Sequence, residues 1–248
     1  MKIQKEPSTA WYLITTALPI LVINTIINCW GYIIVGITAI AFVLWNGSVV
    51  VGDKSAHEAC FNPPQLGYFA CFALSLSLPH LVTKAKLDHF LKAIWNNKVV
   101  TLLVVIVSIA LVYKFTQVHE YLLADNRHYT FYVWSKIFRR YEYSKYILIG
   151  LYIFTYWSIN NSLKHVHWMI RCCLWLCVGA ALVPQKLMEF RYFVVPYIII
   201  RLHMKDESIK SLLIELLLYL SINVFTFYIF LYKPIFWPHE HQPQRIMW

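Results

Sequence analysis

Apolar runs about as long as a membrane crossing alternate with short polar segments along most of this chain. Between Ala10 and Gly52, 43 consecutive positions carry no charged residue. As one helix they would measure roughly 60 Å, about two crossings of a ~30 Å hydrocarbon layer. We therefore predict helices over 10–27 and 30–50, broken around Asn28 to Gly31. Further crossings are predicted over residues 66–82, 98–114, 145–160, 167–184, 190–201 (short, with Pro196 inside) and 212–232.

The composition agrees with lipid-facing surface on most of these helices. The 248 residues are 59% hydrophobic, 17% aromatic and 14% charged, and the mean hydropathy is +0.55. An ordinary soluble domain carries more charge and less apolar surface, so these values exclude that class. The predicted fold class is all-α, a polytopic transmembrane helical bundle with about seven to eight spans that forms one transmembrane domain over residues 1–248.

The net charge of +10 belongs to the loops between apolar runs. The preference for basic residues on the cytosolic side explains it without nucleic acid, so the expected partners are membrane lipids. The loop 83–98 holds four lysines against one acid, Asp88, and we place it in the cytosol. Alternation of the helices then puts residues 52–65, 115–144, 185–189 and the C-terminal tail together on the other side.

Four consecutive hydrogen-bonding side chains, Asp125 to His128, lead into an aromatic-rich stretch between two apolar runs. An acid, an amide, a guanidinium and an imidazole are costly to hold at the edge of a bilayer, and such groups commonly bind something polar. A structural ion pair between Asp125 and Arg127 that fixes the loop is the alternative. A second polar set on the same side comprises Asp53, His57 and Glu58.

Aromatic residues recur at helical spacing just after this segment. Phe131, Trp134, Phe138 and Tyr141 share one face, while the basic residues between them point away. The pattern predicts an interfacial amphipathic helix with its aromatic face in the headgroup region. An aromatic belt with snorkelling cations explains the same pattern without a ligand.

Four other charged residues lie in or near apolar runs, and for two of them the sequence is compatible with either a structural role or a substrate contact. Glu189 and Arg191 open an apolar stretch, where a charge at the membrane centre would cost about 2.5–3.5 kcal/mol. A mutual or interhelical salt bridge and a substrate contact are both compatible with that position. Arg171 and Glu215 lie near span ends and are predicted to snorkel. The six cysteines have neither zinc-ligand nor disulfide spacing, and no metal site or organic cofactor is evident.

Four sequence blocks carry a resemblance to a known family. They are VVVGDKSAHEAC with a following PQL, LLADNRHYTFYVW, VPQKLMEFRYFVVPY and the closing QRIMW. In this order they resemble the endoplasmic-reticulum α-1,2-glucosyltransferases that add the third, terminal glucose to the dolichol-linked oligosaccharide, using dolichyl-phosphate glucose. The match runs from about Val49 to Trp248.

The resemblance implies a fold, a location and a reaction. The fold would be that of a GT-C-like membrane glycosyltransferase, multi-pass in the endoplasmic-reticulum membrane with its substrate loops luminal, acting in protein N-glycosylation. Its substrates would be a dolichol-linked donor and a dolichol-linked acceptor. The implied hexosyl transfer moves glucose from a lipid monophosphate to a 2-hydroxyl with inversion, which needs a base on the hydroxyl and cationic stabilisation of the departing phosphate.

The same resemblance gives the polar residues expected roles. Arg127 would contact the phosphate, because a guanidinium gives bidentate and permanently charged recognition. The catalytic group is not assigned, and Asp125 and Asp53 are its candidates. The remaining expected substrate contacts are Asp125 and Asn126 to sugar hydroxyls, His128 to phosphate, Tyr129, Tyr132 and Trp134 as flat faces for glucose or dolichol, and Asp53, His57, Glu58, Glu189 and Arg191 as secondary contacts.

Members of this family are longer, and the matched blocks are those of their C-terminal half. In GT-C enzymes the acidic catalytic residues lie in the first luminal loop near the N-terminus, and nothing here corresponds to that loop. Three hypotheses are therefore open. The chain is a glucosyltransferase or its substrate-holding half, a truncated non-catalytic relative that binds dolichol lipids or a partner, or a small lipid transporter.

Overall fold

The computed structural model describes residues 17–49, 51, 60–117, 122, 127–205, 208–236 and 242–246. The chain divides into two compact units, Met1–Glu58 and Ala59–Trp248, and each is described by itself. Within the described ranges every regular element is helical, apart from an isolated antiparallel bridge between Ile235 and Gln244. The prediction of an all-α chain is confirmed for these residues.

The helices of the described residues are, in chain order, α1 Leu18–Asn46, α2 Pro64–Leu76, α3 Leu78–Leu81, α4 Lys84–Asn96, α5 Lys98–Phe115, α6 Tyr129–Val133, α7 Ser144–Ser162, α8 Trp168–Leu182, α9 Arg191–His203 and α10 Ile209–Tyr232. A π-helical turn, Trp134–Phe138, follows α6. Three helices, α1, α5 and α10, are long and apolar enough to cross a membrane, and α8 is a shorter apolar helix. These helices make the chain a membrane protein, and the count of seven to eight spans stays a prediction.

The described part of the first unit is dominated by α1, one helix of 29 residues where two were predicted. The predicted break around Asn28 to Gly31 is wrong. Asn28 Nδ2 donates to the carbonyl of Asn24 at 2.8 Å, so this polar side chain is satisfied by its own helix and does not interrupt it. The helix ends where Gly47 adopts φ 69° and donates to Val43 O, a common role for a C-terminal glycine.

The core of the second unit forms around α2, which packs against α7, α8 and α9. Phe69 on α2 is fully buried, and its ring lies 6.0 Å from that of Phe193 on α9. Ala70 and Ala73 are also buried. Small residues on this face of α2 let α7 approach closely, and Gly67 marks the tightest point because a Cβ there would lie 2.5–2.9 Å from ring atoms of Tyr152.

Replacing Gly67 by alanine should therefore destabilise the second unit. The added methyl group would displace the Tyr152 ring, which is 8% exposed, and overpacking of this kind typically costs about 1–3 kcal/mol. Gly150→Ala on α7 is the matched control, because nothing lies within 4 Å of a Cβ built at Gly150. Thermal unfolding of both variants in one detergent should separate them, and equal midpoints would contradict the close packing of α2 on α7.

The second unit has two ends with different chemistry. The basic end contains residues 79–89, 161–165, 204–205 and 208–211, parts of which line one cavity. At the opposite end, Cys60 N donates to Pro184 O at 3.1 Å, the rings of Phe61 and Phe115 lie 5.0 Å apart, and Arg127 contacts Gln244. The structure thus brings residues 60–65, 115–117, 127, 183–187 and 244 towards one end, as helix alternation predicts.

Candidate functional site

The predicted site segment folds as two short helical turns. After α6, Arg139 N donates to Trp134 O at 2.9 Å, and this five-residue spacing gives a π-helical turn in place of a continuous amphipathic helix. Trp134 is 8% exposed and lies 5.4 Å from Phe138, between ring centroids. Both side chains pack in the protein core, so the expectation that they face the headgroup region is wrong. Tyr141 is exposed.

Arg127 lies beside the C-terminal segment. Its Nη1 donates to Gln244 Oε1 at 3.3 Å, and Gln244 is held by two backbone hydrogen bonds of 2.8 Å to Ile235. Arg245 Nη1 donates to Phe230 O at 2.8 Å, and to Leu231 O. A cation at the carbonyl end of α10 is favourable. The C-terminal segment is thereby fixed, and it carries a residue, Gln244, whose proximity to Arg127 sequence reasoning missed.

The aromatic and imidazole groups that follow Arg127 are half-buried. His128 precedes α6 with an extended backbone at φ −99° and ψ 139°. Tyr132 packs edge-on against Phe131, with ring centroids 5.2 Å apart. Burial raises the pKa of Tyr132, so its phenol stays protonated near neutral pH and can donate a hydrogen bond.

A pair of buried amides ties the start of α2 to the turn before α9. Asn62 Nδ2 donates to Gln185 O at 3.1 Å, and Gln65 Nε2 donates to Gln185 O at 3.1 Å and Leu187 O at 3.0 Å. Both amide residues are almost fully buried. Burial also raises the pKa of the adjacent Cys60 thiol, against the opposing effect of Lys186. The thiol is therefore not activated as a nucleophile.

A layer of aromatic rings packs along α2, next to the buried amides. Tyr68 lies 5.8 Å from Phe138 of the π-helical turn, and Phe72, one helical turn along α2, lies 5.9 Å from Phe190, between ring centroids. One face of α2 thus connects the 127–138 segment to the segment before α9.

Glu189 and Arg191 form an ion pair with each other. The Glu189 side chain is 17% exposed and the Arg191 side chain is 70% exposed. A pair with one partner so open to solvent contributes only about 0–1 kcal/mol to stability. The mutual salt bridge, one of the two alternatives from the sequence, is therefore present. It leaves the guanidinium of Arg191 accessible to solvent.

Five predicted site residues lie outside the described residues. They are Asp53, His57, Glu58, Asp125 and Asn126, and their roles stay predictions. Within the described ranges no group of three histidine, cysteine or acidic side chains is arranged to hold a metal ion.

Sequence reasoning missed a buried polar network near the basic end. Arg201 Nε donates to Glu215 Oε1 and Arg201 Nη2 donates to Glu215 Oε2, both at 2.7 Å. Tyr219 OH also donates to Glu215 Oε1, at 2.7 Å. His80 Nε2 lies 3.2 Å from the same carboxylate. Glu215 is 6% exposed, so the prediction that it snorkels is wrong. Glu215 and Tyr219 lie four residues apart on α10, a spacing that sequence could have supplied, whereas the partners on α3 and α9 could not be found that way.

A cavity among the described residues lies at the basic end, away from the predicted substrate segment. Its volume is about 490 Å³, and its lining includes Lys86, Lys164 and Lys205. A second cavity of about 470 Å³ is an apolar groove along α10 alone. The predicted site and the cavity at the basic end are therefore different places.

Comparison with known proteins gives one consistent result. The family model described as the DIE2/ALG10 family matches residues 3–202. A human protein named Dol-P-Glc:Glc(2)Man(9)GlcNAc(2)-PP-Dol alpha-1,2-glucosyltransferase is 48% identical over 219 residues, which cover 88% of this chain and 46% of that protein. Proteins of the same name are 36% identical in Drosophila melanogaster, over 92% of this chain and 50% of the relative, and 35% identical in Arabidopsis thaliana, over 84% and 42%. The chain spans about half the length of these curated relatives. No solved structure matches it.

Proposed function

The chain belongs to the DIE2/ALG10 family, and on that premise we propose that it takes part in α-1,2-glucosyl transfer from dolichyl-phosphate glucose to the diglucosylated dolichol-linked oligosaccharide. The relatives' printed names describe this donor, acceptor and linkage. The family match confirms the resemblance found in the four sequence blocks. The activity of this chain, its endoplasmic-reticulum location and its luminal substrate loops are part of the proposal.

The observation that carries the proposal is the position of Arg127. It lies half-buried at the end of the second unit opposite the basic end, where its Nη1 donates to Gln244 of the C-terminal segment. A guanidinium suits the monophosphate of a lipid-linked sugar, because it offers two parallel donors to phosphate oxygens. His128 and Tyr132, neighbours in the same segment, provide further donors.

In the proposed reaction the 2-hydroxyl oxygen of the acceptor glucose attacks the anomeric carbon of the donor. The bond from that carbon to the phosphate oxygen breaks, the hydroxyl proton passes to a base, and dolichyl phosphate leaves with its negative charge. Arg127 stabilises that charge as it develops. Because this interaction is stronger in the transition state than in the bound substrate, it lowers the barrier to transfer. Asp125 and Asp53 are the candidate bases, and neither belongs to the described residues.

Donor binding tests the proposal directly. The full chain in lipid nanodiscs should bind dolichyl-phosphate glucose more tightly than dolichol, because only the former carries a phosphate. Membranes that hold only this chain, in cells lacking the endogenous enzyme, are then assayed with a diglucosylated lipid-linked acceptor. Donor binding without product would favour the non-catalytic, lipid-binding role, and equal binding of donor and dolichol would refute the proposal.

Membrane sidedness is part of the proposal, and it rests on the preference for basic loops on the cytosolic side. We expect Lys92, on α4, to face the cytosol and Asp53, Asp125 and Trp248 to face the lumen. Single-cysteine variants at these positions, in a background without the native cysteines, are exposed to a membrane-impermeant maleimide in sealed microsomes. Lys92→Cys should react at once and the other three only after permeabilisation. Labelling of Asp53→Cys and Asp125→Cys from opposite sides would exclude a shared substrate pocket.

A further inference from the structure

The described side chains that line the cavity at the basic end include basic groups and no acids. Its wall includes three lysines and three histidines, together with four serine or threonine side chains and one asparagine. The described lining contains no aspartate or glutamate, and Asp88, the acid on α4, is not part of it. The basic side chains are Lys86, Lys164, Lys205, His80, His89 and His165.

The inner wall of this cavity is held in place by the fold. Lys86 Nζ donates to His80 O at 2.7 Å and to Ser162 Oγ at 2.6 Å, which ties α4 to α3 and α7. His80 in turn lies 3.2 Å from Glu215 Oε2 in the buried network. Lys86 and His80 are therefore preorganised, and these two side chains need little further ordering when a ligand binds.

Two helices also begin at this cavity. Thr83 precedes α4, where its Oγ1 accepts from Lys86 N at 3.3 Å, and Ser208 precedes α10. Both residues line the cavity. The first peptide groups of a helix carry a partial positive charge, which adds to that of the three lysines and favours an anion.

We propose that this cavity binds the phosphate ester of a polyhydroxylated alcohol, either the headgroup of a phosphorylated inositol lipid or a soluble sugar phosphate. The lysines and helix ends suit the phosphate, and the hydroxyl and amide side chains suit the alcohol groups. The cavity volume of about 490 Å³ falls in the usual range for small-molecule sites. It is larger than the volume that a bare phosphate ion occupies. Basic pockets between membrane helices are known to bind phosphorylated lipid headgroups.

This site is separate from the proposed transfer site. The cavity lies at the basic end, whereas Arg127 and Gln244 lie at the opposite end. Binding here therefore needs no dolichyl-phosphate glucose, and it can be measured whether or not the chain transfers glucose.

The test uses the full chain in neutral-lipid nanodiscs and three probes: inositol 1,4-bisphosphate, inorganic phosphate and a short-chain phosphatidylinositol 4-phosphate. The double variant Lys164→Gln, Lys205→Gln should bind the inositol probes more weakly by on the order of tenfold per lysine, because each substitution removes a charge-assisted hydrogen bond. The control, Lys84→Gln with Lys92→Gln, removes equal charge from the same end outside the cavity. Its affinity should stay within about twofold, because neither Lys84 nor Lys92 lines the cavity and salt screens charges that do not contact the ligand.

A second variant blocks the cavity sterically. Ala85 lines the cavity and is exposed, so Ala85→Trp should fill the space and block the inositol probes without changing any charge. Lipid binding at least tenfold tighter than that of the soluble headgroup would assign the site to the membrane, and comparable binding would assign it to a soluble ester. Equal weakening in both lysine double variants, or no saturable binding by the unmodified chain, would overturn the proposal. Unchanged melting temperatures verify that all variants are folded.

Discussion

Replacing Glu215 by alanine should lower the free energy of unfolding by about 3–5 kcal/mol, the cost typical of breaking a buried ion pair by removing one partner. The Arg201 side chain is 14% exposed, and both guanidinium nitrogens that contact Glu215 do so at 2.7 Å. Without the carboxylate, Arg201 and the Tyr219 hydroxyl lose a shared acceptor but remain largely shielded from water. Denaturant or thermal unfolding in detergent micelles measures the loss.

A double-mutant cycle shows whether the loss arises from the pair. Glu215→Leu with Arg201→Met removes both charges and keeps apolar volume, and such replacements are often neutral or stabilising. The double variant should therefore be more stable than either single variant. The coupling energy should be about 3 kcal/mol, the upper limit that is usual for residues in contact. Asp88→Ala, at an exposed position of α4, is the matched loss of an acid and should change stability by less than about 0.5 kcal/mol. Additive single effects at Arg201 and Glu215 would contradict the coupling.

The length of an apolar run predicted helix positions well. The predicted crossings 98–114, 145–160 and 167–184 correspond to α5, α7 and α8 with ends that differ by two residues or fewer. This agreement follows from hydrophobicity, because the polar residues that flank each run cannot enter a lipid core. The run 66–82 is divided into α2 and α3, and Pro196 is accommodated inside α9. Neither detail depends on hydrophobicity alone.

The errors share a physical cause, which is that a polar side chain in an apolar run can be satisfied by a hydrogen-bond partner inside the protein, so it need neither break the helix nor reach water. Asn28 is satisfied by a carbonyl four residues earlier, so α1 continues through a predicted break. Glu215 is satisfied by His80, 135 positions away, and by Arg201 on the preceding helix, so it is buried where snorkelling was predicted. The polar residues Asn28 and Glu215 were therefore assigned the wrong local structure.

The candidate site shows the same limit. The segment from Arg127 to Trp134 was found from its composition, because so many hydrogen-bonding groups near lipid are unusual. Its neighbour Gln244 could not be found that way, since the contact depends on the bridge between Ile235 and Gln244. Trp134 was predicted as a flat face for a ligand, and the structure buries its ring against Phe138. This position favours packing over ligand stacking for Trp134, whereas Tyr132 of the same segment is half-buried.

Replacing Arg127 by alanine should reduce glucosyl transfer by on the order of 10²-fold or more, as when a single donor to a developing oxyanion is removed. Lysine at this position should also be impaired, because an ammonium is a point charge and cannot replace the planar fork of a guanidinium. Affinity for dolichyl-phosphate glucose should fall in both variants, with the smaller loss for Arg127→Lys. The measurements are donor binding in nanodiscs and third-glucose addition to a diglucosylated lipid-linked acceptor.

Two further variants distinguish phosphate recognition from a general effect of basic charge. Arg139→Ala removes an exposed arginine from the same segment and should leave donor affinity unchanged. Gln244→Ala keeps the guanidinium but removes the oxygen that accepts from its Nη1 at 3.3 Å, so Arg127 should be less well positioned and donor affinity should fall less than in Arg127→Ala. If Arg127→Ala binds the donor as tightly as the unmodified chain while Gln244→Ala unfolds more easily, then Arg127 holds the C-terminal segment in place and does not recognise the phosphate.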